Sequence, residues 1–373
     1  MQQTNKKKIY IIAGEASGDL HGAGLMRAMK KIDSSITFYG IGGPKMMKEG
    51  LSSLIPLSQL AVMGFWEVLK KIRFFLNLEK TVIKQIGNVQ PSHIIMVDYP
   101  GFNLRIAKKI KQNHQIPIHY YISPQLWAWK EKRVEIIKKY IDSMIVVFPF
   151  EQEWYKKRGV QTHYFGHPII DHSKQYNYTA TPINNEINIA ICPGSRIQEI
   201  KRHMPVLSKV IEKYPKTKKQ KINFTIIKAP GISNQELQKY IKNQEVNITN
   251  ESILSVFEKT HIGIVASGTA SLECSITKKP IIVIYKMSWI SWFITKRFIK
   301  IPFACISNIL ANKQIIPELL QSKLTVNNVI TELNKSLSLS NQNKYVEQIN
   351  KIVASLGNGL TYEKTANFIL NNN

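Results

Sequence analysis

Residues 9–31 read IYIIAGEASGDLHGAGLMRAMKK, and three local signals follow one another along them. The first five residues form an unbroken, β-branched apolar run, as expected of a parallel strand covered on both faces. Gly14-Glu15-Ala16-Ser17-Gly18-Asp19 supplies a turn, and from Leu20 the apolar residues recur at helical spacing. The same succession returns down the chain. Strands are expected at 94–98 (IIMVD), 118–122 and 144–148 (MIVVF), with helices at 20–31, 60–86, 102–112 and 130–140. A polar stretch at 171–188, containing Pro182, interrupts the rhythm. It then restarts, with strands at 187–192, 224–227, 263–266 and 281–285 and helices at 196–213 and 270–277. Alternation of this kind predicts an α/β protein with two Rossmann-like domains facing a cleft. The expected spans are 1–172, 186–336 and a polar helical tail over 337–373, free to pack back on the first domain.

Composition narrows the function. The 373 residues carry 51 Lys+Arg against 25 Asp+Glu, a formal charge of +26, which favours anionic partners. Only eight of those cations are Arg, and the chain is rich in Ile and Asn, so lysines spread over solvated faces explain much of the excess. No basic stripe interleaved with aromatics and no nucleic-acid motif occurs, so nucleic acid is not expected as a partner. Cys192, Cys274 and Cys305 are widely spaced in apolar surroundings and read as buried, reduced thiols. Neither a metal nor a cofactor is expected, since no zinc, calcium or Walker signature is present. The N-terminal residues do not resemble a secretory signal, and the longest apolar candidate, 281–305, is broken by Lys286, Lys296, Arg297 and Lys300.

Several turns carry candidate chemistry. Glu15 and Asp19, with Ser17 between them, lie at the carboxyl end of the first strand, where a carboxylate can act as base or bind a hydroxyl; Asp19 as a plain helix cap is the alternative. Asp98 closes an apolar strand in VDYPGFN and is the leading base candidate, with Asn103 beside it; a turn Asp before Pro100 is the bland reading. Trp127 and Trp129 suit stacking or core packing. In the second half Gly194, Ser195 and Arg196 pair a close-approach glycine with a hydroxyl and a guanidinium, a set suited to a diphosphate. Ser267, Gly268 and Thr269 open a helix that carries Glu273, placed to accept ribose hydroxyls or simply to favour the helix start. Asn308 could bond a phosphate or a base edge. His167 is read as a turn organiser. The segment 60–76 (LAVMGFWEVLKKIRFFL) is apolar on a wide face through Met63, Phe65, Trp66, Leu69, Ile72, Phe75 and Leu76, with cations interspersed. It suits a membrane interface, an acyl-chain groove or a packed core. Trp289, Trp292 and Phe293, with Lys296, Arg297 and Lys300, make a second such surface.

Taken together, GEASGDLHGAGLMRAMK, GIGGPKMMKEG, LAVMGFWEVL, VDYPGFN, YYISPQLWAWKEKRV, FPFE, FGHP, PGSRIQEI, ASGTASLE and SNILA follow the order seen in lipid-A-disaccharide synthases, and the resemblance spans roughly residues 8–320. It implies an inverting glycosyltransferase of the GT-B type that needs no metal. The implied donor is UDP-2,3-diacylglucosamine and the implied acceptor 2,3-diacylglucosamine 1-phosphate. The products would be a β-1,6-linked disaccharide 1-phosphate and UDP. It also implies work at the cytoplasmic face of the inner membrane, peripherally bound to its anionic surface, and leaves a homodimer open. Where many members carry a second Asp in the VDYPGFN motif, this chain has Gly101, so the base is assigned to Asp98 with Glu15 and Asp19 in reserve. A UDP-sugar epimerase of the same fold class and a nonenzymatic basic membrane-binding protein are the rival readings.

Overall fold

The computed structural model describes residues 7–60, 72–176, 178, 186–215, 221–241, 245–298 and 301–371. The chain divides into two compact units, Met1–Asp171 with Leu356–Asn373, and His172–Ser355. The first holds a seven-stranded sheet built from β1 (Lys8–Ala13), β2 (Thr37–Ile41), β3 (Leu51–Ser53), β4 (His93–Val97), β5 (Ile118–Tyr121), β6 (Ser143–Val146) and β7 (Thr162–Tyr164). Its order is β3-β2-β1-β4-β5-β6-β7, parallel throughout. The second holds β8 (Glu186–Cys192), β9 (Lys221–Ile227), β10 (Val246–Thr249), β11 (Ile262–Ala266), β12 (Ile281–Tyr285) and β13 (Glu318–Leu320), parallel in the order β10-β9-β8-β11-β12-β13.

The apolar runs explain the central strands. Ile9 to Ala13, Ile94 to Val97 and Ile262, Ile264 and Val265 are fully buried, because helices cover both faces of a doubly wound sheet. Strand β2 and the edge strands β3, β7, β10 and β13 have no such run and were not foreseen. Cys192, Cys274 and Cys305 are buried and unpaired. In both sheets the order reverses once, between β1 and β4 and between β8 and β11. In doubly wound sheets it is at such a reversal, outside the carboxyl ends of the strands, that ligands bind.

The expected tail is divided. The helix Leu339–Ser355 stays with the second unit, whereas Thr361–Asn371 packs on the first, against the helix Ala16–Ile32. A Cβ on Gly24 would lie 2.4 Å from the Tyr362 ring, so only glycine admits that crossing. His21 Nδ1 lies 2.9 Å from the Tyr362 hydroxyl, and the Tyr362 amide donates to the Asp171 carboxylate at 3.1 Å.

Burial pushes His119 down to about 4 and His167 down to about 3. Both imidazoles are therefore neutral in the fold, whereas the unfolded chain protonates them near pH 6.5. Below that pH the unfolded state binds more protons, so stability falls with falling pH. Urea denaturation from pH 7.5 to 5 is expected to show a midpoint that drops steadily below about pH 6.5, by up to about 2 kcal/mol per imidazole. His119→Asn should flatten part of that slope.

Candidate active site

In the first unit the site grows from the reversal between β1 and β4. Asp98 and Tyr99 follow β4 directly and are both left-handed, with φ 46° and 50°. For Asp this conformation is tolerated; for Tyr it is an outlier that its surroundings must hold in place. They do so at three points. The Asp98 carbonyl accepts from Asn103 Nδ2 at 2.7 Å and from the Tyr120 hydroxyl at 2.6 Å. The Asp98 amide donates to the Tyr121 carbonyl at 3.0 Å. The Tyr99 ring lies on Gly14, where a Cβ would approach it to 2.3 Å. This turn frees the Asp98 carboxyl from the sheet and sets it beside the β1 turn. Burial, then the charge of Glu15, pushes that carboxyl up to about 7.

Glu151 was not among the expected site residues. It is fully buried, yet four donors meet its carboxylate: Ser123 Oγ at 2.6 Å, Trp127 Nε1 at 3.0 Å, and the amides of Val147 and Phe148 at 3.2 and 3.0 Å. It ties the carboxyl ends of β5 and β6 together. Its only legible signal was a Glu two residues after Pro149, the pattern of a helix start. Tyr120 was missed as well, since a strand tyrosine looks like core.

Two expected ligands of the first unit turn out to be scaffold. Asp19 is buried, and its oxygens accept from the amides of Gly43, Lys45 and Met46 at 2.9, 3.1 and 2.9 Å. It caps the short helix Pro44–Lys48 and has no room to act as base. Asn103 is fully buried and serves the Asp98 carbonyl rather than a ligand. Glu15 is exposed at the N-cap of Ala16–Ile32, with Ser17 half-buried in its first turn. Gly101 faces open space, so the site has room for a side chain there.

In the second unit the turn after β8 is held by Glu199. Gly194 has φ 127°, and a Cβ there would lie 2.6 Å from Glu199 Oε2. Glu199 accepts from the Ser195 amide at 2.9 Å and sits 3.4 Å from Arg196 Nη1. The Arg196 Nε is buried without a partner while its side chain as a whole is 40% exposed. His203, also unforeseen, is fully buried behind the turn. Its Nδ1 lies 2.7 Å from the Pro193 carbonyl and so carries the proton, and its Nε2 accepts from the Lys286 amide at 2.9 Å. Across the reversal, Gly268 at φ 142° opens the helix Thr269–Ser275. Ser267 donates to the Ala304 carbonyl at 2.8 Å, Thr269 is exposed and Glu273 half-buried.

Asn308 is a correction of the same kind as Asp19. It is fully buried and saturated: it donates to the Ile316 carbonyl and Glu318, and accepts from the amides of Ile315 and Ile316. Of the apolar set, Met63, Phe65, Trp66 and Leu69 lie outside the described residues. Ile72 and Leu76, one helical turn apart, are 43% and 41% exposed, while Phe75 packs toward Phe102. Trp289 and Phe293 are 74% and 75% exposed. No described helix is long and apolar enough to cross a membrane.

A family model described as lipid-A-disaccharide synthetase matches residues 9–370. The chain belongs to that family. Lipid-A-disaccharide synthase 1 of Legionella pneumophila is 36% identical over 354 residues, covering 91% of this chain and 92% of its own. Among solved structures, UDP-GlcNAc 2-epimerase from Neisseria meningitidis bound to UDP-GlcNAc superposes with a TM-score of 0.64 at 13% identity, over 98% of this chain and 100% of the other. The calicheamicin glycosyltransferase CalG4 gives a TM-score of 0.62 at 11% identity, over 99% of each. Epimerase and transferase share this fold, so the likeness does not choose between them; membership of the synthetase family does, and it makes the chain a glycosyltransferase of lipid A synthesis.

Within the synthetase site, the packing of Tyr99 on Gly14 makes a local prediction. Gly14→Ala should displace that ring, and the Asp98 turn with it. Turnover is expected to fall about a hundredfold with the far-ultraviolet circular dichroism unchanged. Wild-type turnover would show that the turn does not depend on this contact.

Proposed function

We propose that the enzyme joins UDP-2,3-diacylglucosamine to 2,3-diacylglucosamine 1-phosphate, giving the β-1,6-linked disaccharide 1-phosphate and UDP. The observation that carries the reading is Asp98: a carboxyl raised to about 7 on a constrained turn at the strand reversal. A base of that strength takes a proton near neutral pH without being permanently protonated. The acceptor 6-hydroxyl gives its proton to Asp98 as the oxygen attacks the anomeric carbon, and the configuration inverts. The departing diphosphate gathers charge beside the Ser195 hydroxyl, the Arg196 guanidinium and the N-terminus of the helix Ile197–Lys213. Glu273 accepts from the ribose, with the turn at 267–269 along the nucleotide.

The acyl chains follow the apolar segment 60–76, whose described part exposes Ile72 and Leu76. With the +26 charge, this supports peripheral attachment to an anionic inner-membrane surface from the cytoplasmic side. A homodimer is compatible with the reading and is not required by it.

Mass spectrometry of the product formed from the two monosaccharides tests the reaction; absence of the disaccharide phosphate would refute it. For the base, the unprotonated carboxylate is the active form, so kcat/KM should decline as the pH falls below about 7. Asp98→Asn should lower kcat/KM by about 10²–10⁴-fold and remove that acidic limb. Arg196→Ala should cost about 10²–10³-fold, and retention of wild-type kinetics would take the guanidinium out of the site.

A further inference from the structure

The loop that leaves β5 carries three cations, Lys130, Lys132 and Arg133, and among the described residues none has an ion-pair partner; Lys130 and Arg133 are the two held together by the turn. Because β5 pairs with β4, this loop emerges at the same edge as Asp98. It opens on Ile122 at φ 66°, a conformation that a β-branched residue enters only under constraint. Its root is fastened by buried Trp127, through the bond to Glu151. Beyond that anchor, Trp129 is 47% exposed and Lys130 is again left-handed, at φ 54°. The Lys130 side chain folds back, and its Nζ stands 4.3 Å from the centre of the Trp129 ring. A single turn, Glu131–Arg133, then brings Arg133 beside it, with the Arg133 amide donating to the Lys130 carbonyl at 3.0 Å.

Burial, and then the Arg133 charge, holds the Lys130 ammonium below its usual range. Among the described residues neither cation has an ion-pair partner; Glu131, which lies between them, pairs with Arg158 at 2.6 Å. Two like charges kept side by side repel, and an anion placed against both reverses that cost. The Arg133 charge also reaches the Tyr120 hydroxyl, which bonds the Asp98 carbonyl. The cation pair thus lies on the loop that leaves the sheet at the same strand ends as the Asp98 turn.

We propose that Lys130 and Arg133 form the subsite for the anionic phosphate monoester of the acceptor sugar, an inference that rests on the acceptor reading above. In such a sugar a pyranose ring separates the 6-hydroxyl from the anomeric phosphate. A base at one end and a cation pair at the other fix the orientation of the ring and discriminate against a neutral sugar. The guanidinium offers a fork for two phosphate oxygens, and the ammonium adds a point charge that the Trp129 ring holds in position.

The test compares two acceptors, diacylglucosamine 1-phosphate and its dephosphorylated form, in mixed micelles with the full-length enzyme and saturating donor. Lys130→Ala and Arg133→Ala are each expected to raise KM for the phosphorylated acceptor about tenfold. The rate with the dephosphorylated acceptor should stay at the wild-type level, and Arg133→Lys, which keeps the charge but not the fork, should recover part of the loss. An unchanged KM in the double variant, with the wild type turning over, would overturn the subsite alone. Equal losses with both acceptors would mean a structural role and would overturn it too. No disaccharide from the wild-type enzyme would overturn the acceptor reading and this subsite with it.

Discussion

At the end of β4 the backbone makes two left-handed residues in succession, and the Asp98 carbonyl between them receives side-chain donors from Asn103 and Tyr120. A central parallel strand normally passes its last carbonyl to a neighbouring strand or to water. Here both acceptor positions are filled by side chains from the following helix and the adjacent strand. That fixes the peptide plane, and with it the direction of the Asp98 side chain. The other features of the first unit serve this turn. Gly14 leaves space for the Tyr99 ring, and the carbonyl bonds hold a conformation that costs on the order of 1–3 kcal/mol where it is unsupported. The raised carboxyl follows from the geometry, since a group turned out of the sheet but not into bulk water loses hydration and meets the Glu15 charge.

In a chain with twice as many cations as acids, buried carboxylates are costly and would not persist without partners. Three of them are used in the same way. Asp19, Glu151 and Glu199 each accept backbone amides at a turn near a strand end. Each gives the backbone of its loop a fixed partner inside the fold, the kind of support that a pre-organised site requires.

Much of this was legible. The central strands were announced by β-branched runs, and the division into two α/β halves by the polar stretch at 171–188. The stretches 98–103 and 193–196 were read as turns that follow a strand, and each does follow one, β4 and β8. What spacing could not give was direction. Asp19, Asn103 and Asn308 all sit where ligand contacts are expected, and all three point inward to bind backbone, because a short polar side chain at a strand end can satisfy a loop as readily as a substrate. Edge strands of three polar-flanked residues carry no periodicity. Glu151 and His203 gain their meaning from partners far away in sequence, which no local pattern encodes.

The second unit shows how one such bond shapes chemistry. Phosphate-binding turns commonly offer the anion their own amides. In this turn the Ser195 amide is already taken by Glu199, and the imidazole of His203 fixes the Pro193 carbonyl from behind. The turn is rigid but has one fewer backbone donor to give. The remaining donors are the Ser195 hydroxyl, the first amides of the following helix and the guanidinium, whose Nε is buried and unpartnered. On the proposed reading, the positive charge offered to a diphosphate leaving group is thereby concentrated on one side chain. Glu199 contributes to this in a second way, for its other oxygen stands near Arg196 Nη1 and aims the fork. An acid beside an anion site would ordinarily weaken binding. Here its charge is spent on an amide and a guanidinium, and the arrangement exchanges some attraction for a fixed direction.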